Sequence, residues 1–177
     1  FVGDKKGLIE QWVIDEDLGF ELRRRFQLQG QTEGCVYDST ADTLYIGEEE
    51  RGIWAIDLAN GNRQLITPVD ETNLVMDVEG LDIYHGAGDR YLIASSQGDS
   101  SYVVYALPDG ERLLKFRIAD NADTGIDGSE ETDGIAVTSA EIPGYPQGIL
   151  VVQDGANVPA RQNFKGVDWQ KIQVLLP

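Results

Sequence analysis

Cysteine, histidine and basic side chains are scarce in this sequence. Its 177 residues include one cysteine, Cys35, and one histidine, His85, and 14 lysines and arginines stand against 31 acidic residues, for a net charge of −17. One cysteine cannot form an internal disulfide, and one histidine leaves zinc sites and Ser–His–Asp catalysis with too few donors. The charge argues against binding nucleic acid or an anionic membrane, because phosphates attract a positive surface. It suits a protein that binds cations, with a generic acidic, solubilising surface as the alternative.

Long apolar runs are also missing. No stretch approaches the roughly 18–20 residues that cross a membrane, and residues 1–15 lack the basic-then-apolar order of a signal peptide. We therefore expect a soluble chain that is either mature or cut from a longer one. Cys35 lies in an apolar strand pattern that predicts a buried, inert thiol. For His85 we expect a structural role.

A repeat of short strands is what the sequence does contain. Runs of β-branched and aromatic residues alternate with clusters of Gly, Asp and Asn, and no segment keeps a helical period, which predicts a nearly all-β protein. Three segments share the order acid, Gly, alternating apolar residues: TEGCVYD at 32–38, VEGLDIY at 78–84 and TDGIAVT at 132–138. Each is followed by a second strand, at 43–49, 91–97 and 148–154, and then by a third, at 52–58, 101–107 and 163–169.

The spacing of the repeat predicts a β-propeller. The acids of the motif lie at positions 33, 79 and 133, which are 46 and 54 residues apart, and a four-stranded propeller blade takes about 40–50 residues. Within one partial domain at 1–177 we predict the end of an incomplete blade at 1–14 and blades at 26–60, 74–110 and 114–172. The basic cluster at 23–25 is assigned to an exposed outer strand. Because a propeller needs at least about four blades to close, the rest of the ring is expected outside this chain.

Polar residues recur where these strands begin and end. The inner strands begin at Glu33, Glu79 and Asp133. The antiparallel strands that follow them end at Glu49, Gln97 and Asp154. Blade symmetry would bring all six side chains to one mouth of the central channel as a ring of oxygen ligands. The alternative is that they are ordinary turn residues between strands.

Oxygen ligands without histidine or cysteine favour Ca²⁺ or Mg²⁺, and Ca²⁺ accepts the irregular sets expected here. The loop at 120–134 carries six acids and three glycines in fifteen residues and is predicted to hold calcium, with plain solvated acidity as the alternative. Without cations, the clustered acids should have raised proton affinities. Bound metal ions would create a polyanion-binding face and could activate a water for phosphoryl transfer. Lys5 and Lys6 could orient phosphate oxygens, or could belong to an ordinary exposed hairpin.

Several motifs taken together carry a family resemblance. The segments QTEGCVYD, LYIGEEERGIW, DVEGLDIY, YLIASSQGDSSYVVY, DGSEETDGI and VVQDGANV with RQNFKGVDW resemble the C-terminal half of the β-propeller phytases, over about residues 1–172. Members of that family are six-bladed, calcium-dependent hydrolases that release phosphate from phytate, myo-inositol hexakisphosphate. The resemblance implies direct in-line attack by a calcium-bridging water, without a phospho-enzyme. It also implies two adjacent phosphate subsites that favour substrates with neighbouring phosphates.

The resemblance also implies roles for individual residues. The acidic and amide side chains around the catalytic calciums would be Glu33, Glu49, Asp77, Glu79 and Gln97. Lys5 would contact substrate phosphate, and Lys6 stands where an acid is common, which would make the affinity subsite more basic. Tighter, stabilising calciums would be held by Asp127 and Asn157 with Asp133 nearby. Asp154 is a further expected metal ligand because of its position in the repeat, not because of the resemblance. Ala156 replaces an acid that family members often carry, which puts one stabilising site in doubt.

The N-terminal half of the family pattern has no counterpart here. This sequence therefore lacks an aspartate, a lysine, an arginine and a tyrosine that complete the site in the family. We expect the missing half of the propeller as a partner, phytate or calcium-phytate as substrate, and little phytase activity from these 177 residues alone. Otherwise we expect a monomer that is secreted or periplasmic, where calcium is abundant enough to fill weak sites. The rival hypotheses are a non-catalytic calcium-binding propeller that binds a partner or polyanion, and a calcium-dependent lactonase, for which the histidine is poorly placed.

Overall fold

The computed structural model describes residues 1–177 as four antiparallel sheets. The first contains β1 (Val2–Gly3), β2 (Leu8–Ile14) and β3 (Phe20–Gln27), and the second contains β4 (Thr32–Asp38), β5 (Thr43–Glu48), β6 (Gly52–Asp57) and β7 (Arg63–Pro68). The third contains β8 (Val78–His85), β9 (Arg90–Ser96), β10 (Ser101–Ala106) and β11 (Glu111–Phe116), and the fourth contains β12 (Ile135–Thr138), β13 (Ile149–Asp154) and β14 (Asn163–Asp168). The single α-helix, α1 (Trp169–Gln173), has five residues. No helix of the structure is long and apolar enough to cross a membrane.

Strands that are neighbours in the chain are also neighbours in each sheet, as the blades of a propeller require. The prediction of an all-β, partial β-propeller is confirmed. The blade boundaries differ from those expected. The first sheet extends past residue 14 to Gln27, because β3 pairs with the whole of β2 and carries the basic cluster. The outer strands β7 and β11 likewise extend the second and third sheets to Pro68 and Phe116.

The fourth sheet also begins later than the sequence predicts. β12 starts at Ile135, whereas the strand pattern starts at 132. The backbone N–H of Asp133 donates to the side-chain oxygen of Gln153 at 3.0 Å instead of joining the ladder. The acid of the third repeat therefore lies in the approach to the strand and not within it.

Three hydrophobic cores lie between the four sheets, one at each junction, and strand alternation fills them. Along β5, Leu44 and Ile46 pack into the core shared with the first sheet, whereas Tyr45 packs into the core shared with the third. Along β9, Leu92 faces the second sheet and Ile93 faces the fourth. Each central sheet is thus apolar on both faces, which stacks the sheets as blades.

The inner strands approach each other most closely at the glycines of the repeated motif. A Cβ at Gly34 would collide with the backbone of residues 79–81, and a Cβ at Gly80 would lie 2.6 Å from the amide nitrogen of Ile135. Glycine is needed at both positions for lack of space. A Cβ at Gly134 would meet nothing within 4 Å. This glycine immediately precedes β12 of the last sheet, whose outer face no other sheet of the chain covers.

Candidate metal centre

A β-bulge carries the acid–glycine pair in two of the repeats. The ladder between β4 and β5 shifts register at 32–35, and the ladder between β8 and β9 shifts at 78–81, so that Glu33–Gly34 and Glu79–Gly80 each oppose a single residue of the partner strand. A bulge bends its strand and re-aims a side chain that would otherwise follow the pleat. Both glutamates leave the regular alternation at the same end of their sheets.

Three glutamates from two sheets meet at this end of the molecule. Single carboxylate oxygens of Glu33, Glu49 and Glu79 all lie within 4.8 Å of one another. The side-chain amide of Gln31 donates a hydrogen bond to Glu33 Oε1 at 2.6 Å and another to Glu49 Oε1. We call these three acids the glutamate cluster. Its only side-chain hydrogen-bond donor is uncharged.

Two members of this cluster, Glu79 and Glu49, have raised pKa values. Burial, and then the charges of Asp133, Glu33 and Glu49, raise the pKa of Glu79 to about 8. Burial also raises the pKa of Glu49, with further contributions from Asp77 and Glu33. The expectation that gathered acids without a cation gain proton affinity is confirmed for these two side chains. A bound cation would favour the ionised form of Glu79 below its raised pKa.

The third and fourth sheets also carry the expected residues Asp77, Gln97 and Asp133. Gln97 follows β9, and its backbone N–H donates to the carbonyl oxygen of Asp77 at 3.0 Å. The carbonyl oxygen of Asp133 accepts from the N–H of Gly80 at 3.1 Å and from the hydroxyl of Ser95 at 2.7 Å. These bonds fix the backbone of the second and third acid motifs against each other.

Lys5 and Lys6 lie in the exposed hairpin between β1 and β2. The hydroxyl of Thr32 donates to the carbonyl oxygen of Asp4 at 3.0 Å, which holds this hairpin against the start of β4. Neither ammonium group forms a hydrogen bond or an ion pair within the chain. Both are available to an anion that approaches the strand carrying Glu33.

The sequence of this chain is similar to those of known proteins. A family model described as Phytase matches residues 1–176. The chain belongs to the phytase family. A curated relative, the 3-phytase of Bacillus subtilis (strain 168), is 39% identical over 185 residues, which cover 97% of this chain and 48% of that protein. The phytase-family chain therefore spans about half the length of that relative.

A solved structure supports the fold of this phytase-family chain. The crystal structure of the Saccharomyces cerevisiae Sqt1 superimposes with a TM-score of 0.61 at 13% sequence identity, covering 96% of this chain and 43% of that chain. At such low identity the likeness shows the fold alone.

Asp154 occupies a different position in the phytase-family blade from the one expected. The sequence aligned it with Glu49 and Gln97, but the ladder registers place it level with Glu48, one residue earlier. The acid–glycine motif of the fourth sheet is followed by a longer loop, so spacing alone could not set this register. Asp154 is 2% exposed, and its Oδ2 lies 3.3 Å from the ammonium of Lys165. It is therefore a buried, paired carboxylate.

The residues expected at stabilising calciums are brought together only in part. Asp127 and Asp154 both line an open cleft of ≈ 780 Å³ and both pair with Lys165, whose ammonium lowers the pKa of Asp127. Asn157 is not among the lining residues, and its side-chain amide donates to the carbonyl oxygen of Arg161 at 2.8 Å. Two of the expected acids therefore already share a lysine as their partner.

Sequence reasoning missed Gln31 in this phytase-family site, although a signal for it existed. Gln31 lies two residues before the acid Glu33, just as Asp77 lies two residues before Glu79. The family resemblance points to Asp77 but not to the amide at the matching position of the preceding repeat. Its position in the repeat, more than its residue type, marks it as part of the site.

Proposed function

We propose that this chain supplies the calcium site of a phytase, a phosphomonoesterase that hydrolyses phytate to lower inositol phosphates and phosphate. The observation that supports this most directly is the glutamate cluster, whose oxygens lie within 4.8 Å of one another. It occurs in a chain of the phytase family that is 39% identical to a curated 3-phytase. Because that relative is about twice as long, the proposed activity is that of the completed protein.

The donor set fits calcium. All candidate ligands in the cluster are oxygens, and Ca²⁺ takes about six to eight oxygen ligands in flexible geometry. Burial raises the pKa of the Cys35 thiol, which disfavours a thiolate ligand. Burial, and then the neighbouring acids, raise the pKa of Glu79 to about 8, and a bound cation would offset both effects. Asp77, Gln97 and Asp133 border the cluster and could supply the further oxygens that several ions would need.

Calcium at this site would neutralise phosphate charge and make a water more acidic for attack on phosphorus. The side chains of the chain contribute position and charge. The bulged strands hold Glu33 and Glu79 against Glu49, and Gln31 keeps two of these carboxylates together. The free ammonium groups of Lys5 and Lys6 would orient neighbouring phosphates of the substrate, because ammonium groups bind phosphate oxygens strongly.

We propose that a further half of the protein completes the ring and the site. Two open surfaces support this: the first sheet has no strand on the inner side of β1, and Gly134 faces open space at the other end of the array. The chain alone is then expected to bind calcium but to hydrolyse phytate poorly. A calcium site of irregular oxygens fills at extracellular calcium concentrations, which favours a secreted or periplasmic protein.

Phosphate release from calcium–phytate by the full-length protein tests the function. We expect release that is lost on adding a chelator and lost in Glu79→Gln. The matched control is Asp38→Asn, which neutralises a buried carboxylate at the opposite end of β4 and should keep activity where the variant stays folded.

Calcium binding without phosphate release would refute the phytase proposal and favour the non-catalytic calcium-binding propeller. Phosphate release that persists in both chelator and Glu79→Gln would refute the role of the glutamate cluster.

A further inference from the structure

Glu48 is a buried acid that the proposed calcium chemistry does not use. It immediately precedes Glu49, but strand alternation turns its side chain to the other face of β5, where its side chain is 1% exposed. Its Oε1 accepts hydrogen bonds from the backbone N–H groups of Gln29 (2.9 Å) and Gly30, and its Oε2 accepts one from the indole of Trp54 at 2.7 Å. The guanidinium of Arg51 also lies 3.6 Å from its Oε1, and a carboxylate buried this deeply needs such a set of partners.

The segment that Glu48 holds leads directly into the glutamate cluster. Residues 29–31 connect the first sheet to β4, and Gln31 at their end donates to both Glu33 and Glu49. The backbone N–H of Glu49 donates to the carbonyl oxygen of Gln31 at 3.0 Å. The connector is thus fixed by the carboxylate of Glu48 on one side and by the backbone of Glu49 on the other.

The same arrangement recurs in the fourth sheet. Asp154 lies level with Glu48, its Oδ1 accepts from the N–H of Glu130 at 3.0 Å, and its Oδ2 is 3.3 Å from the ammonium of Lys165. By ladder register, Glu130 matches Gly30 and Lys165 matches Trp54.

In the third sheet Ser96 has this position. Its hydroxyl accepts from the N–H of Val75 at 2.9 Å, two residues before Asp77. Each complete junction therefore uses a buried polar side chain at the end of the second strand to hold the incoming connector.

We infer that Glu48 is a positioning residue of the cation site: its buried carboxylate fixes the 29–31 connector and, through Gln31, the separation of Glu33 and Glu49. This role rests on the calcium site proposed above. A glutamine at position 48 keeps only one acceptor oxygen, so its NH₂ group must face either the connector N–H groups or the indole N–H of Trp54. One set of donors then loses its acceptor, which weakens the hold on the connector and changes the spacing of the two ligands.

Calcium titration of the 177-residue chain by isothermal calorimetry tests this role. The part of the binding heat that disappears in Glu79→Gln belongs to binding at the cluster. Partners that orient metal ligands typically contribute about 10–100-fold to affinity, so Glu48→Gln should weaken binding there by about tenfold or more. Asp38→Asn is the matched control, because Asp38 lies at the far end of the hairpin formed by β4 and β5. Its carboxylate is 0% exposed, accepts from the N–H of Thr40 at 2.9 Å and pairs with Arg90 of β9. It should lower the melting temperature but change calcium affinity by less than about twofold.

Equal calcium affinities in Glu48→Gln and Asp38→Asn would refute the positioning role and leave Glu48 as a stabilising residue. If Glu48→Gln does not fold, Trp54→Phe takes its place, because it removes only the indole donor to Oε2. Its expected weakening is roughly two- to tenfold, the net value of one hydrogen bond, and unchanged affinity would again refute the role. If instead Glu79→Gln leaves calcium binding untouched, the proposed calcium site itself is wrong.

Discussion

The raised pKa of Glu79 predicts that the proposed calcium binding at the glutamate cluster depends on pH. In the metal-free chain this pKa rises from an ordinary 4.5 to about 8, first through burial and then through neighbouring acids. A cation that binds at lower pH must displace the proton from Glu79. Holding the ionised form costs about 1.4 kcal/mol for each pH unit below the pKa.

The magnitude follows from this linkage. At pH 8 about half of Glu79 is already ionised, so the cost rises by about 2.3 kcal/mol between pH 8 and pH 6, which corresponds to a roughly fiftyfold weaker apparent calcium affinity. Above pH 8 the affinity should level off, because Glu79 is then ionised before calcium arrives. Each calcium bound at pH 6–7 should release close to one proton from this side chain.

Isothermal calorimetry measures both effects. The affinity follows from titrations at pH 6, 7 and 8, and the released proton follows from repeating them in buffers with different ionisation enthalpies. Glu79→Gln should remove the proton release and most of the pH dependence, although its calcium affinity will be low. An unchanged affinity between pH 6 and pH 8 in the unmodified chain would refute the reasoning.

The same shift predicts how the metal-free fold responds to pH. Glu79 binds its proton more tightly in the folded chain than in the unfolded chain, so its contribution to stability is full below about pH 4.5 and is lost as the pH rises to about 8. The melting temperature of the unmodified chain in chelator should therefore fall towards alkaline pH relative to that of Glu79→Gln. Calcium should reverse the trend.

Two further predictions concern the glycines and the buried lysine. In chemical denaturation, Gly80→Ala should destabilise the chain by about 1–3 kcal/mol or more, because its Cβ would meet backbone atoms of the next inner strand. Gly134→Ala should be nearly neutral in this chain and destabilising only in the full-length protein, and equal losses of stability in both would contradict a completed ring. Lys165→Met should cost about 3–5 kcal/mol in the same assay, because it leaves the buried carboxylate of Asp154 without its ion pair. A cost no greater than that of an exposed Lys171→Met would refute that pairing.

The strands of the repeat could be predicted from the sequence because their side chains report the environment locally. The segments at 32–38, 78–84 and 101–107 alternate apolar residues or combine β-branched and aromatic ones, and the strands observed there differ by no more than one residue at either end. β12 was placed three residues too early, because nothing in the sequence shows that the N–H of Asp133 binds the side chain of Gln153. Such a long-range bond depends on register, which spacing does not determine.

The candidate site was predictable where the repeat and the acidic residue type agree. Glu33, Glu49 and Glu79 satisfy both conditions, and their side chains meet. Gln31 has the position without the charge, and Asp154 has the charge at a neighbouring position that faces the interior. Acid content therefore identifies ligands reliably only after the register of the strands is known.

The bulges explain how a strongly acidic chain can gather like charges without losing its fold. Each bulge turns a single glutamate out of the ladder while the glycine beside it lets the next inner strand approach. The strands on either side keep their apolar faces in the cores between sheets, so the unfavourable charge is confined to one end of the molecule. A cation bound there would stabilise the folded chain without any rearrangement of the cores, because the acids are already assembled before it binds. The packing of the sheets therefore offsets the unfavourable free energy of bringing the ligands together during folding. The cation then has only to replace a proton.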